Sequence, residues 1–197
     1  MRRLINDGWS FVKMPFGSTY EDAIRASFSS VDLPHDWLIW QEKDLYETAD
    51  VWYRRALVSP IDSDPVTMIR FDGVYMDCDV LLNGEVICSH PYGYTAFDVP
   101  LTNRLLPGMN QLMVHIRHQS PNSRWYSGSG IFRDVTLVTL PESYMIPDGL
   151  YLKEAYRDGQ WTLRVSAEVV GDAPFFCRLS DRDGAEIVCA EGEHSGN

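Results

Sequence analysis

The stretch Val74-Tyr-Met-Asp-Cys-Asp-Val-Leu-Leu-Asn-Gly-Glu-Val-Ile-Cys-Ser89 reads as two strands joined by a tight reversal. Val74, Met76, Cys78, Val80 and Leu82 alternate with Tyr75, Asp77, Asp79 and Leu81, the period of a strand with one buried face. Asn83-Gly84 supplies residue types that tolerate the positive φ angles of a two-residue turn. The same pattern returns after Pro107-Gly108, where Leu112, Val114 and Ile116 alternate with Gln111, Met113, His115 and Arg117, and again from Val135 to Leu140. Short strands punctuated by Gly, Pro and Asn, with few helices, predict an all-β antiparallel sandwich. A two-residue loop pairs Leu82 with Glu85, so Cys88 is expected opposite Asp79 and on the other face from Cys78, which disfavours a bridge between them. The one helix signal is Ser18 followed by Glu21, at capping-box spacing before Ala23, Ile24 and Ala26.

Alternation stops near Pro141 to Pro147 and resumes at Leu150-Tyr-Leu152, Trp161 to Val170, Phe175 to Leu179 and Ala185 to Cys189. The expected division is therefore a first domain over 1–142 and a second, incomplete sandwich over 143–197. A chain of 197 residues with 45% hydrophobic residues can bury a substantial core. Its net charge of -11 opposes any broad contact with phosphate backbones, so no nucleic-acid partner is expected. No stretch approaches the roughly 20 apolar residues of a membrane span, and Asn6 and Asp7 interrupt any signal-peptide run, so the expected location is cytoplasmic. Cysteines 78, 88, 177 and 189 lack C-x-x-C spacing and are read as reduced thiols.

A second stretch, Pro121-Asn-Ser-Arg-Trp-Tyr-Ser-Gly-Ser-Gly-Ile-Phe-Arg-Asp-Val135, gathers a cation, two aromatics and turn-permitting glycines in one loop. With Leu33-Pro-His-Asp-Trp37, Val51-Trp-Tyr-Arg-Arg55, Phe71-Asp-Gly-Val74, Gly93-Tyr-Thr-Ala-Phe-Asp98 and Leu106-Pro-Gly-Met-Asn110, it resembles the N-terminal domain of glycoside hydrolase family 2, the β-galactosidases, β-glucuronidases and β-mannosidases. The sequence departs from that pattern at His118-Gln119-Ser120, where many relatives carry an acidic residue or Asn. The resemblance implies a jelly-roll (galactose-binding-like) β-sandwich followed by the start of an immunoglobulin-like sandwich. It also implies a parent enzyme that hydrolyses terminal β-linked sugars with retention, β-galactosidase-like, with both catalytic glutamates on a later (β/α)8 barrel. Residues 1–197 would then be an inactive N-terminal fragment with no catalytic residue, cofactor or metal. Its partners would be carbohydrate and downstream domains of the same enzyme, with oligomerisation of the whole enzyme left open.

Within this frame Arg124, Trp125 and Tyr126 are the expected substrate contacts, since a cation, stacking faces and polar tips suit a sugar. Tyr92 and Tyr94 are expected to fill the core, and Arg54, Arg55 and Arg133 to form ion pairs. Asp77 and Asp79 share a strand face and invite comparison with a glycosidase carboxylate pair, but a solvated or interdomain face is the better reading. His35-Asp36-Trp37 is expected to be a structural corner in which Trp37 anchors and Asp36 binds backbone amides. His115 and His118 point to opposite faces of a strand and cannot share a metal. Two other readings stand beside the enzyme: a stand-alone noncatalytic carbohydrate-binding module, and a structural interaction domain anchored by the Arg-Trp-Tyr loop.

Overall fold

The computed structural model describes residues 1–40, 44–59, 66–125 and 127–192, and it divides into two units, Met1–Thr139 and Leu140–Asn197. The first unit holds β1 (Arg2–Leu4), β2 (Trp9–Met14), α1 (Tyr20–Arg25), β3 (Ser29–Val31), β4 (His35–Asp36), β5 (Ala49–Val58) and β6 (Val66–Phe71). It continues with β7 (Cys78–Leu82), β8 (Glu85–His90), β9 (Phe97–Pro100), β10 (Met109–His118), β11 (Gly130–Ile131) and β12 (Val135–Leu140). One sheet runs in the order β1-β12-β6-β9 and a second in the order β3-β2-β5-β10-β7-β8, while β4 and β11 form a short ribbon. Ile69, Phe71, Val99 and Leu137 from the first sheet share one core with Val51, Tyr53, Val80, Leu82, Leu112, Val114 and Ile116 from the second. This is the antiparallel sandwich that alternation predicts, in the jelly-roll form that the resemblance implies: every second residue faces inward, and each fully buried large side chain contributes about 1.5–3 kcal/mol.

In β5 and β10 burial extends to the outward residues as well, because α1 lies over that face of the second sheet. Ala23 of the helix packs with Trp52, Leu81 and Met113, and with the partly buried Val12, Met14, Tyr20 and Phe28. The helix starts one residue later than Ser18 suggests. Thr19 is the cap, its hydroxyl accepting from the Asp22 amide while the Asp22 carboxylate accepts from the Thr19 amide. Ser18 is occupied elsewhere, donating to buried Asp50 (3.2 Å) and accepting from the Trp52 indole (3.0 Å).

The Asn83-Gly84 hairpin is present, with Leu82 opposite Glu85, but its register shifts between Leu81 and Val80. One extra residue on β8 sets Cys88 opposite Val80 rather than Asp79, and so on the same inward face as Cys78. Both thiols are free. Burial, reinforced by Cys88 and Asp79, pushes the Cys78 thiol up to about 12.

The second unit consists of two antiparallel hairpins, β13 (Tyr144–Arg157) with β14 (Gln160–Val170) and β15 (Phe176–Ser180) with β16 (Glu186–Glu191). β13 runs through the expected break near Pro147, which the strand absorbs as a register shift between Met145 and Leu150. Asp158-Gly159, both at positive φ, closes the first hairpin. Pairing of Leu150 with Ala167, Leu152 with Val165 and Tyr156 with Trp161 gathers these side chains on one face, and Lys153 with Arg164 on the other. That apolar face is uncovered among the described residues: Leu152 is 60% and Trp161 74% exposed. No helix among the described residues is long and apolar enough to cross a membrane.

Candidate functional site

Three segments meet where β10 ends: the corner around His35-Asp36-Trp37, Tyr75, and the loop leading into β11. Asp36 Oδ1 accepts the amides of Leu38, Ile39 and Ser129, each at 3.0 Å. The Trp37 amide donates to the Ser129 carbonyl (3.0 Å), and Tyr75 and Gly130 exchange backbone bonds of 2.9 and 3.0 Å. Asp36 thus does for the corner what its acceptor-only carboxylate suggested. Gly130, at φ 139, passes so close to the His35 carbonyl and the Tyr53 hydroxyl that a Cβ would overlap them. The loop's base is therefore rigid, whatever its tip contacts.

Arg124 is exposed and has no ion-pair partner among the described residues, and Trp125 is 62% exposed beside it. Tyr126 lies outside the described residues. Tyr92 and Tyr94 are not core residues. They are 56% and 44% exposed, because residues 91–96 form a turn before β9 instead of a strand with an inward face. Tyr94 packs edge-on against Tyr75 (5.1 Å between ring centres), and Tyr92 against Tyr94 (5.8 Å). The Tyr75 hydroxyl and the Ser127 hydroxyl both donate to Asn122 Oδ1, at 3.3 and 3.2 Å. Buried His118 meets Trp37 edge-on at 5.9 Å. Sequence reasoning did not single out Tyr75 or Asn122, whose roles depend on the loop folding back against the Tyr75 segment ahead of β7.

The other polar clusters are structural. Arg117 donates to both Asp77 oxygens (3.0 and 2.9 Å) and to Asp79, so these carboxylates serve one guanidinium rather than a reaction. The hydrogen bond from Arg117 holds the Asp77 carboxyl below its usual range. His115 points outward, stacked on Trp52 at 3.9 Å and 3.4 Å from Asp50. His118 points into the core. Burial lowers the pKa of both, against the opposing pull of Asp50 on His115 and of Asp36 and Glu47 on His118. Of the arginines expected in ion pairs, Arg55 pairs with Asp7 (3.3 Å), whereas Arg54 lies over the Phe28 ring (4.0 Å) and Arg133 over Phe132 (5.1 Å). Among the described residues no group of three or more His, Cys, Asp or Glu could hold a metal ion.

No family model matches the chain. It is 32% identical over 186 residues to the β-galactosidase BoGH2A of Bacteroides ovatus, covering 84% of this chain and 22% of that protein. It is 26% identical over 214 residues to a β-glucuronidase of Bacteroides fragilis, covering 97% of this chain and 29% of that one. A crystal structure of a β-glycosidase from Bacteroides vulgatus superposes with a TM-score of 0.79 at 25% identity, over 97% of this chain and 27% of that one. The chain spans less than a third of these relatives' lengths and matches the part at their N-terminus. Sequence and fold together assign it to the N-terminal region of the β-galactosidases and β-glucuronidases of glycoside hydrolase family 2.

Proposed function

We propose that the chain serves a retaining β-glycosidase, β-galactosidase-like, as its sugar-facing N-terminal part. Residues 1–142 would form the sugar-binding sandwich and residues 143–197 the opening of an immunoglobulin-like domain. The whole enzyme would cleave terminal β-linked sugars through a covalent glycosyl-enzyme intermediate, with both catalytic carboxyl groups outside this chain. Arg124, Trp125 and Tyr126 line the rim of the sugar pocket. The observation that carries this is the exposure of the Trp125 ring and of Arg124, which has no ion-pair partner among the described residues, on a loop whose base is pinned by Asp36 and Gly130. A binding group on a rigid base gives up little freedom when a ligand arrives. Four free cysteines support a reducing, cytoplasmic setting.

Replacing Trp125 by Ala in the whole enzyme is expected to lower kcat/KM by about ten- to hundredfold, equivalent to about 1–3 kcal/mol, with the melting temperature unchanged. Unchanged kinetics beside a melting temperature several degrees lower would reduce the loop to scaffold. The chain by itself is expected to show no hydrolysis of chromogenic β-galactosides. Turnover that survives purification and vanishes in Asp77→Asn would overturn the assignment of the chemistry to another part of the enzyme.

A further inference from the structure

We infer that a cleft on the first unit, lined by residues other than the Arg124 loop, is a second carbohydrate site that takes one pyranose ring of a neutral glycan. The cleft opens where the edge strand stops short. β3 pairs only with Trp9, Ser10 and Phe11, so among the described residues β2 has no strand beside it from Val12 onward on that side. The cleft is open to solvent and has a volume of about 470 Å³. Phe11 and the buried Trp37 give it an apolar floor, and Trp40, 79% exposed, stands at its margin. A sugar presents a C–H face that stacks on such rings while its hydroxyls seek polar partners.

The polar side is pre-set by the core. The Tyr53 hydroxyl lies 2.7 Å from His35 Nδ1 and donates to the His35 carbonyl at 3.4 Å. The Nδ1 contact holds the orientation of the imidazole, whichever of its nitrogens carries the hydrogen. Burial lowers the His35 pKa, so the ring is neutral. His35 lines the cleft, and Nε2 has no hydrogen-bond partner among the described residues. It is thus a free polar atom of fixed direction, able to pair with a sugar hydroxyl as donor or acceptor. Ser29 adds a hydroxyl that can donate or accept. Lys13 also lines the cleft, but both Glu47 oxygens neutralise it, at 2.7 and 2.8 Å. Among the described residues that line the cleft no net charge is left to recruit an anion, which favours a neutral sugar over a uronate.

The test is a titration of the chain with methyl β-galactopyranoside and, separately, methyl β-glucopyranoside, followed by amide and indole N–H NMR. The Trp40 indole and the His35 and Ser29 amides are expected to move together and to saturate with a Kd of about 1–10 mM. Trp40→Ala is expected to weaken binding at least about tenfold, and Trp40→Phe to keep part of it. The ring is mostly exposed, so the fold survives its removal, and an otherwise unchanged spectrum checks that. Shifts confined to other residues, no shifts at all, or equal affinity in Trp40→Ala would overturn the assignment. Only the ligand class rests on the function proposed above. That reading is tested by the kinetics of Trp125→Ala in the whole enzyme, so either can fail alone.

Discussion

Replacing Gly130 with alanine is expected to lower the unfolding free energy by about 3–5 kcal/mol, a large part of the stability of an ordinary domain. Two costs coincide. The backbone at φ 139 lies in a region that side chains rarely adopt, and the new methyl group would overlap the His35 carbonyl and come within 2.6 Å of the Tyr53 hydroxyl. Neither neighbour gives way cheaply, because His35 contributes main chain from β4 and Tyr53 is wholly buried. Gly108 is the control. It has φ 86 but nothing within 4 Å of the place a methyl group would take, so alanine there carries only the backbone cost of about 1 kcal/mol. Urea unfolding of both variants decides the matter, and equal losses at the two positions would refute the steric account.

Acidification should produce the second large effect. His35, His115 and His118 have their pKa lowered from 6.5, in each case chiefly by burial. Between that lowered value and the ordinary one, the unfolded chain binds protons that the folded chain refuses, so stability falls as the pH drops below about 6.5. Each ring can contribute a slope of at most about 1.4 kcal/mol per pH unit. The urea midpoint is therefore expected to decline between about pH 7 and pH 5, before the carboxylates titrate. His118→Gln should flatten the profile by one ring's share. Asp77 has linkage of the same sign in a lower window: its lowered carboxyl pKa, held down by Arg117, gives stability that is lost only in stronger acid. A profile flat down to about pH 5 would show that the three imidazoles protonate freely in the folded chain.

The strands were legible because alternation is a physical necessity for a sheet with one wet face, and the Asn83-Gly84 reversal was legible because few residue pairs tolerate its dihedrals. Register was less so. Once β8 follows the turn, Val86, Ile87 and Cys88 are all apolar enough to face inward, and nothing in the sequence requires the extra residue that carries Cys88 round to the Cys78 face. The helix start moved for a similar reason, since Ser18 and Thr19 are both competent caps and the choice was made by Asp50, a partner over 30 positions away. At the candidate site, Asp36 was readable from local turn chemistry. The exposed positions of Tyr92 and Tyr94 were not, because an aromatic run looks the same in a strand as in a turn that rests on Tyr75. Asn122 and Tyr75 join only when the loop folds back, a long-range event with no local signature.

The pairing of β1 with β12 has a consequence for the history of such a sandwich. The Met1 carbonyl accepts the Thr139 amide at 2.9 Å, and Arg2 lies opposite Val138, so the polypeptide enters and leaves this unit through one doorway. Neighbouring strands stand only about 4.8 Å apart. A few residues could join the two ends and let the chain be reopened at Asn83-Gly84 with the sheet order intact, and the same geometry lets the whole unit be threaded into a longer gene product like a bead on a string.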